Sequence, residues 1–174
     1  MGHHMPRLQT SPHDHRAYRY LTLPNQLRVL LIEDHKTEKS AAALAVNTGH
    51  FDDPGARQGM AHFLEHMLFL GTRTYPKPGE YQQFMSRHGG SNNAWTGTEF
   101  TNFFFDIDNG FFEAGLDRFS QFFICPTFAP EWVDKERNAV DSEYRLKLQD
   151  DVRRSYQVHK ETVNPDHPFS KFSV

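Results

Sequence analysis

Two histidines and a glutamate lie close together in one apolar stretch of the sequence, residues 59–70. On a helix, His62 and His66 project from the same face, where neighbouring imidazoles can share one metal ion. Glu65 lies on that face too, one turn from His62, and its carboxylate can reach a metal-bound water without ligating the metal. The pattern His-x-x-Glu-His therefore predicts a zinc site with a base beside it.

The opposite face of this predicted helix is apolar and is expected to lie in the core. Its members are Met60, Phe63, Leu64, Met67 and Leu68. Unpaired imidazoles and a carboxylate are costly in a buried helix, which favours the metal interpretation. Because the chain has 11 histidines, the five-residue pattern His-x-x-Glu-His can also arise by chance. The alternative to a metal site is a pair of solvated histidines.

A catalytic zinc site also needs a third protein ligand and an open position for water. The best candidate segment is 132–144, which contains Glu136 and Glu143. On a helix these two glutamates lie two turns apart and share a face with Ala139 and Val140, away from the other charges. A carboxylate on an apolar stripe needs a partner, so this segment is expected to supply the third ligand.

The combination of these two segments resembles the pitrilysin/insulinase family of zinc peptidases, the inverzincins. The residues that carry the resemblance are 62–66 and 138–143, and segments 89–94, 116–123 and 164–172 are similar to the family as well. The similarity runs from about Tyr18 to Phe172. It implies an α+β fold with a mixed or antiparallel sheet and helices packed on one face, truncated inside the first of four homologous domains.

The resemblance implies a role for each residue of the metal site. His62, His66 and Glu143 would hold one Zn²⁺ per active site, and Glu65 would be the catalytic base. Glu136 would orient a ligand histidine without touching the metal. The implied reaction is zinc-dependent endopeptidase cleavage of oligopeptides or small unfolded proteins by a zinc-activated water.

The resemblance also implies how substrate is bound. Asn93 and Ala94 would contact substrate from an edge strand, whose main-chain groups can hold an extended peptide with little demand on its side chains. An ordinary sheet edge is the alternative.

Two further residues lie near the predicted site. Phe69 lies on the metal face of its helix and can line the site or simply pack. His50 is a weaker candidate ligand in the preceding loop.

Two further functions are open alternatives. One is a non-catalytic, structural relative of the core-subunit kind, which would not need all four of His62, Glu65, His66 and Glu143. The other is a structural zinc domain, which the absence of a fourth cysteine or histidine ligand near the motif disfavours.

In the family the site is closed by a second half of the protein, so the implied partners are peptide substrates and a missing C-terminal half. We therefore expect this chain alone to have little or no peptidase activity.

Composition limits the function in other ways. The 174 residues are 14% aromatic and include 16 phenylalanines, which is typical of a packed domain. Basic and acidic residues number 19 and 22 and form no basic run, so no nucleic-acid partner is expected. No apolar stretch reaches membrane-spanning length, so no membrane insertion is expected. The single cysteine, Cys125, is expected to be a small buried residue and leaves the compartment open, periplasmic if a signal peptide has been removed and otherwise cytoplasmic.

Periodicity and turn residues place these features on elements. Residues 1–16 are predicted to be a tag remnant and flexible arm, and 17–174 an N-terminal zinc-peptidase domain incomplete at its C-terminus. Strands are predicted at 18–23, 27–34, 40–48, 92–100 and 101–107. Besides the metal helix, helices are predicted at 80–88, at 111–123, from 129 through Glu136 and Glu143, and at 152–162. The helix at 111–123 is expected to face the core with Phe112, Leu116, Phe119 and Phe123.

Overall fold

The computed structural model describes residues 9–173, so residues 1–8 of the predicted tag remnant and flexible arm lie outside the described residues. The chain divides into two compact units, one through Glu38 and one from Lys39 onward. In the described part, no helix is both long enough and apolar enough to cross a membrane.

The first unit contains an antiparallel hairpin. Strand β1 (Ala17–Thr22) pairs with β2 (Arg28–Glu33) along its whole length. The connecting turn is closed by a hydrogen bond from Leu23 N–H to Leu27 C=O at 2.8 Å, as an asparagine-containing turn between two strands predicts.

The second unit contains a three-stranded antiparallel sheet. Its strands are β3 (Lys39–Val46), β4 (Ser91–Thr96) and β5 (Thr101–Asp108), in the order β3-β5-β4. The central strand β5 alternates, and its buried positions include Phe103, Phe105 and Ile107. Among the described residues β4 pairs with β5 alone, so its other edge is free for a further strand, as expected for the segment around Asn93.

Five α-helices lie in the described part of the second unit. They are α1 (Met60–Leu68), α2 (Glu80–Arg87), α3 (Phe112–Ile124), α4 (Pro130–Lys147) and α5 (Asp151–Glu161). The first three helices pack with β5 around one largely aromatic core. This core consists of Leu68, Tyr81, Met85, Phe103, Phe105, Ile107, Phe119 and Phe122.

Local chemistry sets several helix starts. Gly59 and Gly79 precede α1 and α2 with φ of 90° and 81°, a left-handed conformation that glycine adopts without steric cost. Pro130 is at the first turn of α4, where its missing N–H costs nothing. The Asp150 side chain caps α5 by accepting hydrogen bonds from Val152 N–H at 2.9 Å and from the next amide.

The predicted apolar face of α1 is partly wrong. Met67 and Leu68 are buried, but Met60 and Leu64 are each 43% exposed. Helix α1 contacts both β4 and α4, so its buried side includes Glu65 from the chemical face. Burial therefore follows the two neighbouring elements rather than the apolar stripe alone.

Three other expectations need correction. In α3, Leu116 is exposed and Phe122 takes its place in the core. The predicted strand 92–100 ends at Thr96, because the next four residues form the turn into β5, closed by Gly97 N–H donating to Phe100 C=O at 2.9 Å. Cys125 is only half-buried, and its thiol donates to the Gln121 side chain.

Candidate metal centre

Helix α1 presents its two histidines side by side. The Nε2 atoms of His62 and His66 lie 3.2 Å apart, and the ring planes are nearly perpendicular at 83°. Residues four apart on a helix are neighbours on its surface, so this pairing is a local consequence of the sequence. Two imidazole nitrogens thus converge on one point outside the helix.

Helix α4 brings Glu143 to the same point. Its Oε2 atom lies 3.7 Å from His62 Nε2 and 3.6 Å from His66 Nε2. Bonds of about 2.0–2.2 Å in a tetrahedral zinc site place neighbouring ligand atoms about 3.3–3.6 Å apart. The three residues form a cluster of possible metal ligands among the described residues, and their donor types and spacing fit one Zn²⁺.

Glu136 lies two turns before Glu143 on α4 and contacts the far side of the His66 ring. His66 Nδ1–H donates to Glu136 Oε1 at 2.6 Å. A hydrogen bond at Nδ1 determines the tautomer and leaves the Nε2 lone pair free toward Glu143. Glu136 is therefore placed to orient a ligand and not to be one.

Glu65 is buried between α1 and the sheet. Burial raises the pKa of Glu65, and a hydrogen bond from the Thr96 hydroxyl on β4 opposes that shift. A carboxylate with a raised pKa is a stronger base, so Glu65 is suited to accept a proton. Its contact with Thr96 also connects it to the edge strand.

The surroundings of His62 and Glu143 shift the pKa of each toward its metal-binding form. Burial, with the neighbouring His66, lowers the pKa of His62 and so favours a neutral imidazole. Burial opposes ionisation of Glu143, but the Lys147 ammonium at 2.7 Å and the two histidines together lower its pKa. Neutral histidine and ionised glutamate are the forms that bind zinc.

These groups open onto a groove with a volume of about 620 Å³. Asn93 and Ala94 of β4 line the same groove as His62 and His66 of α1. Phe69 also lines it and packs in the core, with its ring centroid 5.1 Å from that of Phe122. Phe69 therefore borders both the groove and the core, and its role in a site stays a prediction.

His50 is not brought into the ligand cluster. It lines the groove and is buried, but its Nδ1 lies 3.8 Å from Asp53 Oδ2. The described cluster consists of His62, His66 and Glu143 alone.

Several site residues were missed in the sequence. Lys147, which pairs with Glu143, follows it by four residues on a helix, a spacing that predicts an ion pair. Thr96 occupies an inward position in the alternation of β4, yet nothing in the sequence connects that position to Glu65. Asp53, which accepts hydrogen bonds from amides of Gly59 and Ala61, carries no local signal because these partners lie six and eight residues away.

The sequence of this chain is similar to those of known peptidases. The family model for insulinase, peptidase family M16, matches residues 28–166. Insulin-degrading enzyme from Homo sapiens is 51% identical over all 174 residues, which correspond to 17% of that protein. The A-factor-processing enzyme of Saccharomyces cerevisiae is 49% identical over 161 residues, 92% of this chain and 16% of that protein.

A solved structure shows the same fold. The crystal structure of pitrilysin matches with a TM-score of 0.90 and 38% identity, covering 95% of this chain and 18% of that one. This confirms the predicted α+β fold with antiparallel sheets and packed helices. The chain spans less than a fifth of the length of each of these relatives.

Proposed function

Since the chain belongs to the insulinase family, peptidase family M16, we propose that it is the zinc-binding part of a zinc-dependent endopeptidase. The observation that carries this proposal is the convergence of His62, His66 and Glu143 next to the buried carboxylate of Glu65. Two imidazoles and one carboxylate are a ligand set that catalytic zinc sites use, and a separate base can activate the bound water.

Each side chain has a distinct task in this proposal. His62, His66 and Glu143 would hold one Zn²⁺, which supplies the charge that makes a bound water acidic near neutral pH. Glu65 takes the proton from the attacking water, and its raised pKa makes it an effective base. Glu136 keeps the His66 ring in one orientation through Nδ1.

Peptides and small unfolded proteins are the proposed substrates. The free edge of β4 lies along the groove, and an extended peptide can add to it by main-chain hydrogen bonds at Asn93 and Ala94. Such binding accepts many sequences but needs an extended backbone. The names of two relatives, an insulin-degrading and an A-factor-processing enzyme, support polypeptides as the substrate class.

We propose that residues 17–174 are part of an N-terminal zinc-peptidase domain that works with a second half of the same protein. The relatives are several times longer than this chain, which supports that arrangement. In this proposal the second half supplies further groups that grip a substrate over the groove. We expect the 174-residue chain alone to show little or no peptidase activity.

The test is the zinc stoichiometry of the purified chain, with His3 and His4 replaced by serine so that they bind no metal. We expect one zinc per chain, and much weaker binding in Glu143→Gln because an amide oxygen is a poorer zinc ligand than a carboxylate. Asp141→Asn is the matched control, since Asp141 is on the same helix but pairs with Arg145 at the surface. Absence of zinc from the unaltered chain, or equal affinity in the two variants, would contradict the proposal.

A further inference from the structure

The end of the described chain contacts the loop that leads into the metal helix. Lys171 Nζ donates hydrogen bonds to the backbone carbonyls of Phe51 and Asp53, the latter at 2.7 Å. Phe172 N–H donates to the Gln58 side chain at 2.6 Å. This contact lies outside the proposed site, since neither Lys171 nor Gln58 lines the groove beside the candidate metal ligands.

Helix α5 holds Lys171 in place. Its residue Lys160 is buried, and the Lys160 ammonium donates to the Lys171 carbonyl at 2.8 Å and to the Ser173 hydroxyl. A buried ammonium needs such acceptors, because an unpaired charge is costly away from water. The position of Lys171 is therefore set by its own backbone as well as by its side chain.

The loop residue Asp53 caps helix α1. The residue is only 3% exposed, and its carboxylate accepts hydrogen bonds from Gly59 N–H at 2.7 Å and from Ala61 N–H at 2.8 Å. Gly59, at the cap position itself, has no side chain that could do this. Asp53 thus satisfies amides at the start of the helix that have no partner within it, and its negative charge suits that end of the helix.

The first turn of α1 is also the turn that carries a metal ligand. His62 directly follows Ala61, and the first backbone hydrogen bond of the helix runs from Phe63 N–H to Gly59 C=O at 2.9 Å. If this turn frays, His62 Nε2 leaves its position 3.2 Å from His66 Nε2. The cap and the ligand therefore depend on the same turn.

We propose that Lys171 holds the 51–53 backbone so that Asp53 caps α1, which makes Asp53 and Lys171 positioning residues for the metal ligand His62. Lys171 binds the backbone carbonyls of Phe51 and Asp53. These two hydrogen bonds fix the backbone of the loop and so the direction of the Asp53 side chain. Methionine has a similar length but no hydrogen-bond donor at its end, so it could not satisfy these carbonyls. The consequence for zinc affinity rests on the proposed function, whereas the consequence for the helix does not.

The first measurement needs no metal. Amide hydrogen exchange is followed at Ala61 and Phe63 in the metal-free chain, for Asp53→Ala and Lys171→Met. We expect both variants to exchange roughly three- to thirty-fold faster at these amides, the factor that corresponds to the loss of one helix cap. The control is Arg118→Met, which removes hydrogen bonds to Glu80 on α2 and to a carbonyl of α3.

The control separates positioning from a general loss of stability. We expect Arg118→Met to lower the unfolding midpoint without a selective effect on the first turn of α1. Exchange in Lys171→Met that equals exchange in the unaltered chain, or that changes no more than in Arg118→Met, would overturn the proposal.

The second measurement is zinc affinity by competition with a chromophoric chelator. We expect Asp53→Ala and Lys171→Met to weaken zinc binding by a similar factor, and Arg118→Met to leave it unchanged. The double variant should bind zinc no more weakly than Asp53→Ala alone, because Lys171 acts through Asp53. Fully additive losses would overturn this order of action. If the unaltered chain binds no zinc, the proposed function fails, and the exchange measurement alone decides the role of the two residues.

Discussion

At the scale of residues, the surroundings of Glu65 and Glu143 shift the pKa values of the two carboxyl groups in opposite directions. Burial raises the pKa of Glu65, whereas Lys147 and the two histidines hold the pKa of Glu143 low against the effect of burial. Groups of the same type whose pKa values are pushed apart are suited to different roles. In the proposed function, this difference suits Glu65 to the role of base and Glu143 to the role of ligand.

This difference leads to a prediction for Glu65→Gln. Zinc affinity should stay close to that of the unaltered chain, because Glu65 is outside the ligand cluster. In a full-length protein containing this domain, peptide hydrolysis should fall by about a hundred-fold or more, the usual contribution of a positioned base. Chelator competition and a fluorogenic peptide assay measure the two effects. Loss of zinc comparable to that in Glu143→Gln would instead identify Glu65 as a ligand.

A second prediction concerns Glu136→Gln. The amide can still accept from His66 Nδ1–H but without charge, so the ring is held less firmly. Zinc binding should weaken by roughly ten-fold, within the range found when partners of ligand histidines are changed. Asp134→Asn on the same helix is the control, since Asp134 is 78% exposed and pairs with Arg137 at the surface. Equal zinc affinities for the two variants would leave Glu136 without the proposed role.

At the scale of elements, the site depends on the packing of α1 against α4 and β4. Helix α1 has nine residues, too few to be stable in isolation, so its geometry is imposed by its neighbours. The core formed by α1, α2, α3 and β5 provides that support, and α2 contributes Tyr81 and Met85 to it. Changes in this core test the scaffold separately from the metal ligands.

Tyr81→Phe is the informative change in this scaffold. Burial strongly raises the pKa of Tyr81, and among the described residues its hydroxyl has no hydrogen-bond partner. Removing a buried hydroxyl of this kind should leave the free energy of unfolding unchanged or raise it by up to about 1 kcal/mol. Tyr75→Phe, which loses a hydrogen bond to Asp117, should lower it by about 0.5–1.5 kcal/mol. Urea denaturation compares them, and a larger loss in Tyr81→Phe would show that its hydroxyl is paired.

At the scale of the whole molecule, folding ties histidine protonation to stability. Burial is the largest effect on His50 and lowers its pKa below the ordinary value near 6.5, although Asp53 opposes the shift. Below pH 6.5 the unfolded chain binds a proton that the folded chain resists, so the unfolded state binds more protons. Stability must therefore fall as the pH drops through this range.

The corresponding prediction is a decrease in the urea midpoint of the metal-free chain between about pH 7 and pH 5.5. His50→Gln should make this decrease shallower, and part of it should remain because the pKa of His62 is shifted in the same direction. His35→Gln is the control, because the His35 side chain is 84% exposed. A slope unchanged by His50→Gln, or changed equally by His35→Gln, would show that His50 is not protonated on unfolding in this range.

Local periodicity determined much of the site and of the fold. The pairing of His62 and His66 follows from helix geometry over four residues, and the alternation of β5 correctly predicted a strand with one buried face. The resemblance of residues 62–66 and 138–143 to the family supplied the fold and singled out Glu143. Spacing alone left both Glu136 and Glu143 as candidates for the third ligand.

Only the tertiary structure decided which surfaces meet. It placed Glu143 against both histidines and Glu136 behind one of them, and it left Met60 and Leu64 exposed against expectation. It also brought Lys171 to Asp53, more than a hundred residues away along the chain. Periodicity reports which side of an element is apolar, but a contact between distant segments depends on how whole elements pack, and that is not a property of any local pattern.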